Sequence, residues 1–247
     1  MLKLTLASLA LAATIISSPA SATDWTGPYL GASIGEGEND HGVTLSGDPV
    51  TQAVIGLGVL PSSIAVHASG IVGGAEAGYD YQWGRIVVGA VTDFSGTDIS
   101  KSQSVSSAVP GGFFPFTTTA KQSISWFGTA RLRAGATLAD DFLVYATGGL
   151  AYANVKTSES VTSTTTPICI GICTSSSQSA TKVGRAVGGG IQFAVTDHLS
   201  IKGEWLNYDL GSTKLNGTDI FGRFSSIITF TTRYSGNVYR IGGDFKF

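Results

Sequence analysis

The chain has 247 residues, of which 43% are hydrophobic and only 13% are charged, and its formal net charge is −2. Nucleic acid is excluded as a partner because its binding requires a basic face. Soluble domains carry about a quarter charged residues. After the N-terminus, no segment offers the roughly 20 consecutive apolar residues of a membrane-spanning helix. The composition therefore indicates a protein that crosses a membrane with strands.

The N-terminus has the features of a cleavable export signal. Lys3 precedes a short apolar run over residues 4–16, and Ala20 and Ala22 form an A-x-A cleavage site. A retained membrane anchor is the alternative, but the apolar run is too short to span a bilayer. The sequence predicts a signal peptide at residues 1–22 and one mature domain at residues 23–247.

Eight segments of the mature chain have the period-two alternation of strands. Each is close to the 9–11 residues that a tilted membrane strand needs, allowing for protruding ends. The predicted strands are residues 25–35, 70–81, 85–94, 122–138, 142–155, 182–195, 199–209 and 234–247.

The connections between these segments alternate in length. Three are tight turns, at residues 82–84, 139–141 and 196–198, and four are long loops, at residues 36–69, 95–121, 156–181 and 210–233. Short turns on one side and long loops on the other are typical of outer-membrane barrels. The sequence predicts an all-β fold, a closed eight-stranded antiparallel up-and-down transmembrane barrel. Both termini would lie on the periplasmic side and the long loops outside the cell.

One face of the predicted strands is apolar and the other is polar and charged. A soluble barrel would show the same alternation, but here aromatic residues cluster near both strand ends, as two membrane interfaces require. The outward set of the last strand includes Tyr239, Ile241, Phe245 and Phe247. The charges that we predict to face the lumen are Glu76, Asp80, Arg85, Asp93, Arg131, Arg133, Lys202, Glu204, Arg240, Asp244 and Lys246.

Eight strands leave an interior just wide enough for side chains. Buried charges of opposite sign must then pair and hydrogen-bond. We favour a lumen closed by these ion pairs over the alternative, a narrow pore whose selectivity the charges set.

Three stretches carry a resemblance to a known family. DWTGPYLG at residues 24–31, VGGG at 187–190 followed by TDHLSIKGEW at 196–205, and YRIGGDFKF at 239–247 resemble the small porin-family surface barrels of alphaproteobacteria. The resemblance covers the strands and not the long loops. It implies a barrel in outer-membrane lipid. The aromatic alternation that ends at Phe247 looks like the signal that the outer-membrane assembly machinery reads.

Two cysteines, Cys169 and Cys173, lie close together in the third long loop. An exported protein meets an oxidising compartment, so we predict a local disulfide rather than free thiols. A metal site would need two further ligands, and the neighbouring Ser/Thr residues are poor candidates.

The sequence contains no motif that predicts catalysis, so we expect no enzyme, cofactor or metal. The three histidines are His41, His67 and His198. Some related barrels are linked to haem binding, for which His41 and His67 in the first long loop are the only support here. We predict a monomeric envelope protein with a structural and surface-presentation role. The alternatives are a narrow porin and a receptor or adhesin that acts through its loops.

Overall fold

A computed structural model describes residues 23–39, 42–58, 60–108, 115–163, 173–219 and 228–247 of the chain. Within these residues, twelve strands form one sheet and one short helix, α1 (Pro49–Gly56), accompanies it. The strands are β1 (Gly27–Asn39), β2 (Val43–Gly47), β3 (Ser63–Ile64), β4 (Ala68–Trp83), β5 (Ile86–Thr97), β6 (Ser100–Ala108), β7 (Pro115–Ala139), β8 (Phe142–Ser163), β9 (Thr174–Ala194), β10 (Leu199–Asn216), β11 (Thr218–Asp219) and β12 (Ile228–Lys246).

Eight of the strands close into a ring in the order β1-β4-β5-β7-β8-β9-β10-β12, and β12 pairs with β1. Every pairing is antiparallel, and the closing pair runs in register from Tyr29 opposite Lys246 to Asn39 opposite Gly236. The pairing of β12 with β1 leaves no edge strand in the ring, so backbone groups that lipid could not hydrogen-bond are paired within the sheet. The predicted fold class, a closed eight-stranded barrel, is confirmed.

The three tight turns lie at one end of the ring, which we call the short-turn end. They join β4 to β5, β7 to β8 and β9 to β10. Gly84, in the first turn, has a φ of 60°, a left-handed conformation that favours glycine. The start of β1 and the end of β12 pair at this same end. We call the opposite end of the barrel the distal end.

At the distal end the strands are longer than the sequence predicted. β7 and β8 pair from Phe116 opposite Ser163 down to Ala139 opposite Phe142, so much of two predicted loops is sheet. The Ser- and Thr-rich segments there pair with neighbouring strands, which satisfies their backbone groups, and threonine suits a pleated surface. Residues 109–114, 164–172 and 220–227 lie outside the described part.

The first predicted loop also contains ordered structure. Its helix α1 begins after Asp48, whose carboxylate accepts a hydrogen bond from the Thr51 amide at 2.9 Å. Such caps satisfy a free amide of the first turn. Across the described stretches, no helix has the length and apolar character needed to cross a membrane.

The outer wall between the two ends is apolar. Leu132 exposes 71% of its surface and Ile241 exposes 69%. Aromatic rings border this wall on both sides. At the short-turn end the Phe245 and Phe247 ring centroids are 5.3 Å apart. Nearer the distal end Trp126 lies 5.6 Å from Phe94 and 6.2 Å from Tyr152, and we call these three residues the distal girdle.

Candidate functional site

The interior of the barrel collects charged side chains at the level of the apolar outer wall. Strand geometry places alternate residues on the inner face. At this level, nine charged side chains of the described residues point inward, and none of these residues exposes more than 6% of its surface. We call them the charge network. Its members are Glu76 and Asp80 on β4, Asp93 on β5, Arg131 and Arg133 on β7, Lys202 and Glu204 on β10, and Arg240 and Asp244 on β12.

Two arginines hold the distal half of this network. Arg131 contacts Glu204 at 2.7 Å and Asp93 at 3.1 Å. Arg240, from the other side of the lumen, contacts the same two carboxylates at 2.6 Å and 3.1 Å. Thr129 donates a further hydrogen bond to Asp93. Each carboxylate is therefore bound by two guanidinium groups, and four strands are linked across the interior.

Arg133 forms the centre of the other half. Its guanidinium contacts Asp80 at 2.5 Å and donates to Gln192 at 3.1 Å. The rings of Tyr29 and Tyr145 lie 5.3 Å and 4.8 Å from the guanidinium carbon. Cation–π contact at this range stabilises a desolvated arginine.

Gln192 and Lys202 join the two halves. The Gln192 amide donates to Asp244 at 2.9 Å, and the Lys202 ammonium lies 3.3 Å from Asp244. Lys202 also forms an ion pair with Glu76, whose other oxygen is 3.9 Å from Arg240. The network is thus continuous across the lumen. Buried ion pairs add little net stability, but the loss of one partner leaves an uncompensated charge.

Two glycines make room for these carboxylates. A Cβ at Gly31 on β1 would collide with the side chains of Asp244 and Glu76, and one at Gly89 on β5 would collide with Asp80. Both glycines lie on the inner face directly opposite a network residue, Gly31 opposite Asp244 and Gly89 opposite Asp80. The charge network therefore depends on these small neighbours.

Apolar residues fill the interior on both sides of the charge network. Near the short-turn end lies the basal cluster of Trp25, Val87, Leu143, Tyr145 and Ala194. On the distal side lies the middle cluster, which comprises Ala68, Val72, Ile99, Ile124, Phe127, Ala151, Ala153, Val155, Ala186, Leu206, Tyr208, Leu210, Tyr234 and Val238. Further out lies the distal cluster of Val43, Leu45, Leu60, Ile64, Val66, Ala120, Val161, Leu215, Ile228 and Phe230.

Buried polar side chains lie where the middle and distal clusters meet. Glu159 accepts a hydrogen bond from Thr232 at 2.8 Å, and Asn39 donates to Gln122 at 3.0 Å. We call the buried residues Asn39, Thr118, Gln122, Thr157, Glu159 and Thr232 the distal polar layer. Glu159 lies seven residues beyond Tyr152 of the distal girdle, so it is outside the membrane-spanning part of β8.

Glu159 differs from every carboxylate of the charge network. No ion pair among the described residues involves it, and its Oε2 finds no hydrogen-bond donor there. Burial raises the pKa of Glu159 to about 7, against the smaller lowering effect of the Thr232 hydrogen bond. This carboxyl group therefore changes its protonation state near neutral pH.

Two of the eleven charges that we predicted for the lumen lie outside the charge network, although Lys246 shares the inner face with its cross-strand partner Tyr29. Arg85 is exposed in the turn before β5, so the prediction that it faces the lumen is wrong. The reason is that β5 begins one residue later than the alternation indicated. Lys246 lies at the short-turn rim, where its ammonium contacts the Asp24 carbonyl. The alternation did not identify Gln192, Tyr29 and Tyr145 as network partners, since neutral side chains carry no charge signal.

Glu159 was missed because it falls in a segment interpreted as a loop. The alternation of β8 in fact continues there, with Thr157, Glu159 and Val161 on the inner face. That continuing period of two was the signal available in the sequence.

Other predicted residues lie partly outside the described part. Ala20, Ala22, His41 and Cys169 fall in segments that the structure does not describe, so the cleavage site and haem ligation stay predictions. Cys173 is fully buried and disulfide-bonded, while its predicted pairing with Cys169 stays a prediction. In the described ranges, no group of three His, Cys, Asp or Glu side chains is arranged to hold a metal ion.

The four residues of the predicted assembly signal all face outward. Each exposes between 49% and 69% of its surface, which places it on the apolar wall of the last strand. These residues are Tyr239, Ile241, Phe245 and Phe247. Their role in assembly stays a prediction.

Comparison with known proteins places this geometry among outer-membrane barrels. Residues 7–245 match the family described as outer membrane protein beta-barrel domain. The 31 kDa outer-membrane immunogenic protein of Brucella melitensis biotype 1 is 32% identical over 235 residues, covering 94% of this chain and 87% of that protein. The 22 kDa outer membrane protein of Rhizobium leguminosarum bv. viciae is 30% identical over 148 residues, covering 59% and 56%. The crystal structure of Neisserial surface protein A covers 90% of this chain and 98% of its own, at 12% identity and a TM-score of 0.43.

Proposed function

This chain belongs to the outer membrane protein beta-barrel domain family, and we propose that it is a structural barrel of the outer membrane whose lumen is closed. The observation that carries the proposal is the charge network, in which nine buried side chains from five strands pair across the interior. The basal, middle and distal clusters support it because they occupy the interior on both sides of the network. A side chain in such a network is engaged in pairing and is not available to line a water-filled path.

Closure is tested by electrical recording. The protein, purified from outer membranes, is inserted into planar bilayers at neutral pH beside a general diffusion porin that serves as the positive control. We expect no stable conductance steps from this protein. Stable steps whose size or ion selectivity changes in Glu76→Gln would overturn closure and establish the narrow pore.

We further propose that the short-turn end faces the periplasm and the distal end faces the outside of the cell. The tight turns and both chain ends at one end support this orientation, as does the longer sheet at the other. The Brucella relative is named an immunogenic protein, which is in keeping with a surface-exposed distal end.

Membrane-impermeant maleimide added to intact cells tests the orientation. Single cysteines replace the exposed residues Ser104 on β6 and Asp140 in a tight turn. We expect labelling of Ser104→Cys on intact cells and of Asp140→Cys only after the outer membrane is opened. The reverse pattern would refute the orientation.

The remaining proposals concern biogenesis. We propose cleavage after Ala22, a disulfide between Cys169 and Cys173, and recognition of the last strand by the outer-membrane assembly machinery. We assign no catalytic activity or cofactor and propose a monomer. Mass spectrometry of the purified protein, with and without reductant before alkylation, gives the N-terminus and the thiol state.

Deletion of Phe247 tests the assembly signal and should lower the yield of heat-modifiable barrel. Leu199→Ala, also on the outer wall, should leave that yield unchanged.

A further inference from the structure

Five basic side chains lie on the outer surface near the distal end, one on each of five neighbouring strands. Each is exposed and lies next to at least one buried inward residue, as Lys156 lies between Val155 and Thr157. The five strands are consecutive in the ring. We call these residues the basic band; they are Lys121 on β7, Lys156 on β8, Arg185 on β9, Lys214 on β10 and Arg233 on β12.

Acidic side chains scarcely offset this band. On the described outer faces of the five strands the only carboxylate is Asp209, which contacts Arg233 at 2.7 Å and Arg185 at 3.5 Å. Five cations and one anion leave four positive charges on the described outer faces of these five strands. The outward carboxylates Glu36 and Glu38 lie on β1, outside the five strands.

The side chains of the basic band lie within reach of the lipid headgroups. Lys156 follows Tyr152 of the distal girdle by four residues, and Lys121 precedes Trp126 by five. At a rise of about 3.3 Å per residue and the tilt of barrel strands, Lys156 is roughly 10 Å above Tyr152. Aromatic girdles mark the edge of the hydrocarbon layer, and the headgroup region extends about 5–8 Å beyond it. Lysine side chains can reach down into that region.

Arg185 occupies the lowest position in the band. It lies opposite Leu150 of the apolar wall, and 78% of its side chain is exposed. A cation at the hydrocarbon edge is costly unless it reaches an anion or the headgroup layer. Its guanidinium forms an ion pair with Asp209, which lies directly opposite it on β10. The arrangement leaves Arg185 and Arg233 with donors that Asp209 alone does not use.

Hydroxyl and amide groups fill the surface between the cations. Ser158 and Ser177 are hydrogen-bonded across β8 and β9 at 2.9 Å, and Ser179 reaches Asn154 at 3.4 Å. All lie outside the barrel next to Lys156. Such groups suit a sugar headgroup better than an acyl chain, since they offer donors and acceptors.

We propose that the basic band binds the phosphate groups of a phosphorylated glycolipid in the outer leaflet of the membrane. Adjacent strands are about 4.8 Å apart, so the five cations span roughly 20 Å. A disaccharide headgroup with two phosphates can therefore contact cations on different strands, with its sugars over the hydroxyl groups between them. The position of this lipid in the outer leaflet rests on the orientation proposed above.

The test measures lipid binding in detergent, where orientation has no influence. The full protein is purified from outer membranes, exchanged into neutral detergent and titrated with diphosphoryl lipid A, monophosphoryl lipid A or phosphatidylcholine. Native mass spectrometry gives the bound fraction. We expect diphosphoryl lipid A to bind most tightly and its affinity to fall several-fold when salt rises from 0.05 to 0.5 M, because exposed charges are screened.

A matched pair of variants localises the site. Lys121→Ser/Lys156→Ser removes two band cations, and we expect its affinity for diphosphoryl lipid A to fall about tenfold. The control Arg85→Ser/Lys101→Ser removes two exposed cations outside the basic band. Arg85 lies in a tight turn. Lys101 lies on β6 opposite the inward-facing Gln122, so its side chain is on the inner face and not on the outer surface. The affinity of this control should stay within about twofold of the wild type.

Equal weakening in both double variants, or in neither, would overturn the proposal, as would equal binding of phosphatidylcholine. Heat-modifiability on gels checks that each variant still forms a closed barrel. If the maleimide experiment reverses the orientation while the band variants lose binding, the orientation fails and the lipid site remains.

Discussion

The charge network and the distal polar layer solve the same physical problem in different ways. Both hold carboxylates in a narrow interior away from water. In the charge network Glu204 contacts two arginines, whereas Glu159 in the distal polar layer accepts one hydrogen bond, from the neutral side chain of Thr232. Pairing keeps the first carboxylate ionised, whereas burial raises the pKa of the second. Within one barrel, the carboxylates of the charge network stay ionised through their ion pairs, whereas the protonation of Glu159 in the distal polar layer depends on pH.

The largest effect is expected when the network loses a cation. Arg131→Met should lower the free energy of unfolding by about 3–5 kcal/mol, because Glu204 and Asp93 then lose one of their two arginines in a buried site. The measurement is urea unfolding in phosphatidylcholine bilayers, followed by tryptophan fluorescence.

Arg233→Met is the matched control, since 57% of the Arg233 side chain is exposed and surface ion pairs contribute little. If both variants lose the same free energy of unfolding, ion pairing in the charge network is not what stabilises the membrane-spanning part of the barrel.

The second effect concerns pH. The pKa of Glu159 is about 7 in the folded barrel and lies near its ordinary value when the chain is unfolded. A raised folded-state pKa means that stability is fully present at low pH and is lost as pH rises from about 4.5 to 7. Glu159→Gln cannot ionise, so it should escape this loss and exceed the wild type by about 2 kcal/mol at pH 8.

Unfolding curves at pH 4 and pH 8 measure the difference. Glu36→Gln, which changes an exposed carboxylate on β1, is the control and should follow the wild type at both pH values. A wild type whose stability is unchanged across this window would contradict the distinction between the two layers.

A third prediction tests the space around the network. Gly89→Ala should cost about 1–2 kcal/mol, because its Cβ would press against the Asp80 carboxylate and the Tyr79 carbonyl. Gly96→Ala on the same strand is the control, since a Cβ there meets nothing within 4 Å. Urea unfolding of the two variants decides it, and an equal cost at both glycines would show that strand propensity, not crowding, is responsible.

The smallest effect is expected when Glu159 in the distal polar layer loses its hydrogen bond. Thr232→Val removes the hydrogen bond to Glu159, so the pKa of Glu159 should rise further and stability at pH 8 should fall by about 0.5–1 kcal/mol. At pH 4, where the carboxyl group is protonated, the loss should be smaller. Thr231→Val, half-buried on the other face of β12, should show no such pH dependence.

The fold was readable from the sequence because lipid imposes a strict pattern. An outer face in contact with hydrocarbon must be apolar at every second residue, so Ile241 and Phe245 alternate with Arg240 and Asp244 throughout the last strand. The tight turns then set the strand number. The same alternation places nine charges inside the barrel. The alternation wrongly counts Arg85 among the inward charges, because a residue in a turn lies on neither face of the sheet.

Only the tertiary structure decided which side chains meet. Arg131 on β7 and Arg240 on β12 are 109 residues apart in the sequence, and the closed ring brings both to Glu204. The distal strands were also beyond the sequence pattern, because outside the membrane the outer face can be polar and the Ser- and Thr-rich segments resemble loops. Sequence thus determined the barrel and its two faces through contact with lipid. Register and closure determined that Glu204 meets two arginines and that Glu159 meets the neutral side chain of Thr232, because partners across a barrel are set by the ring and not by spacing along the chain.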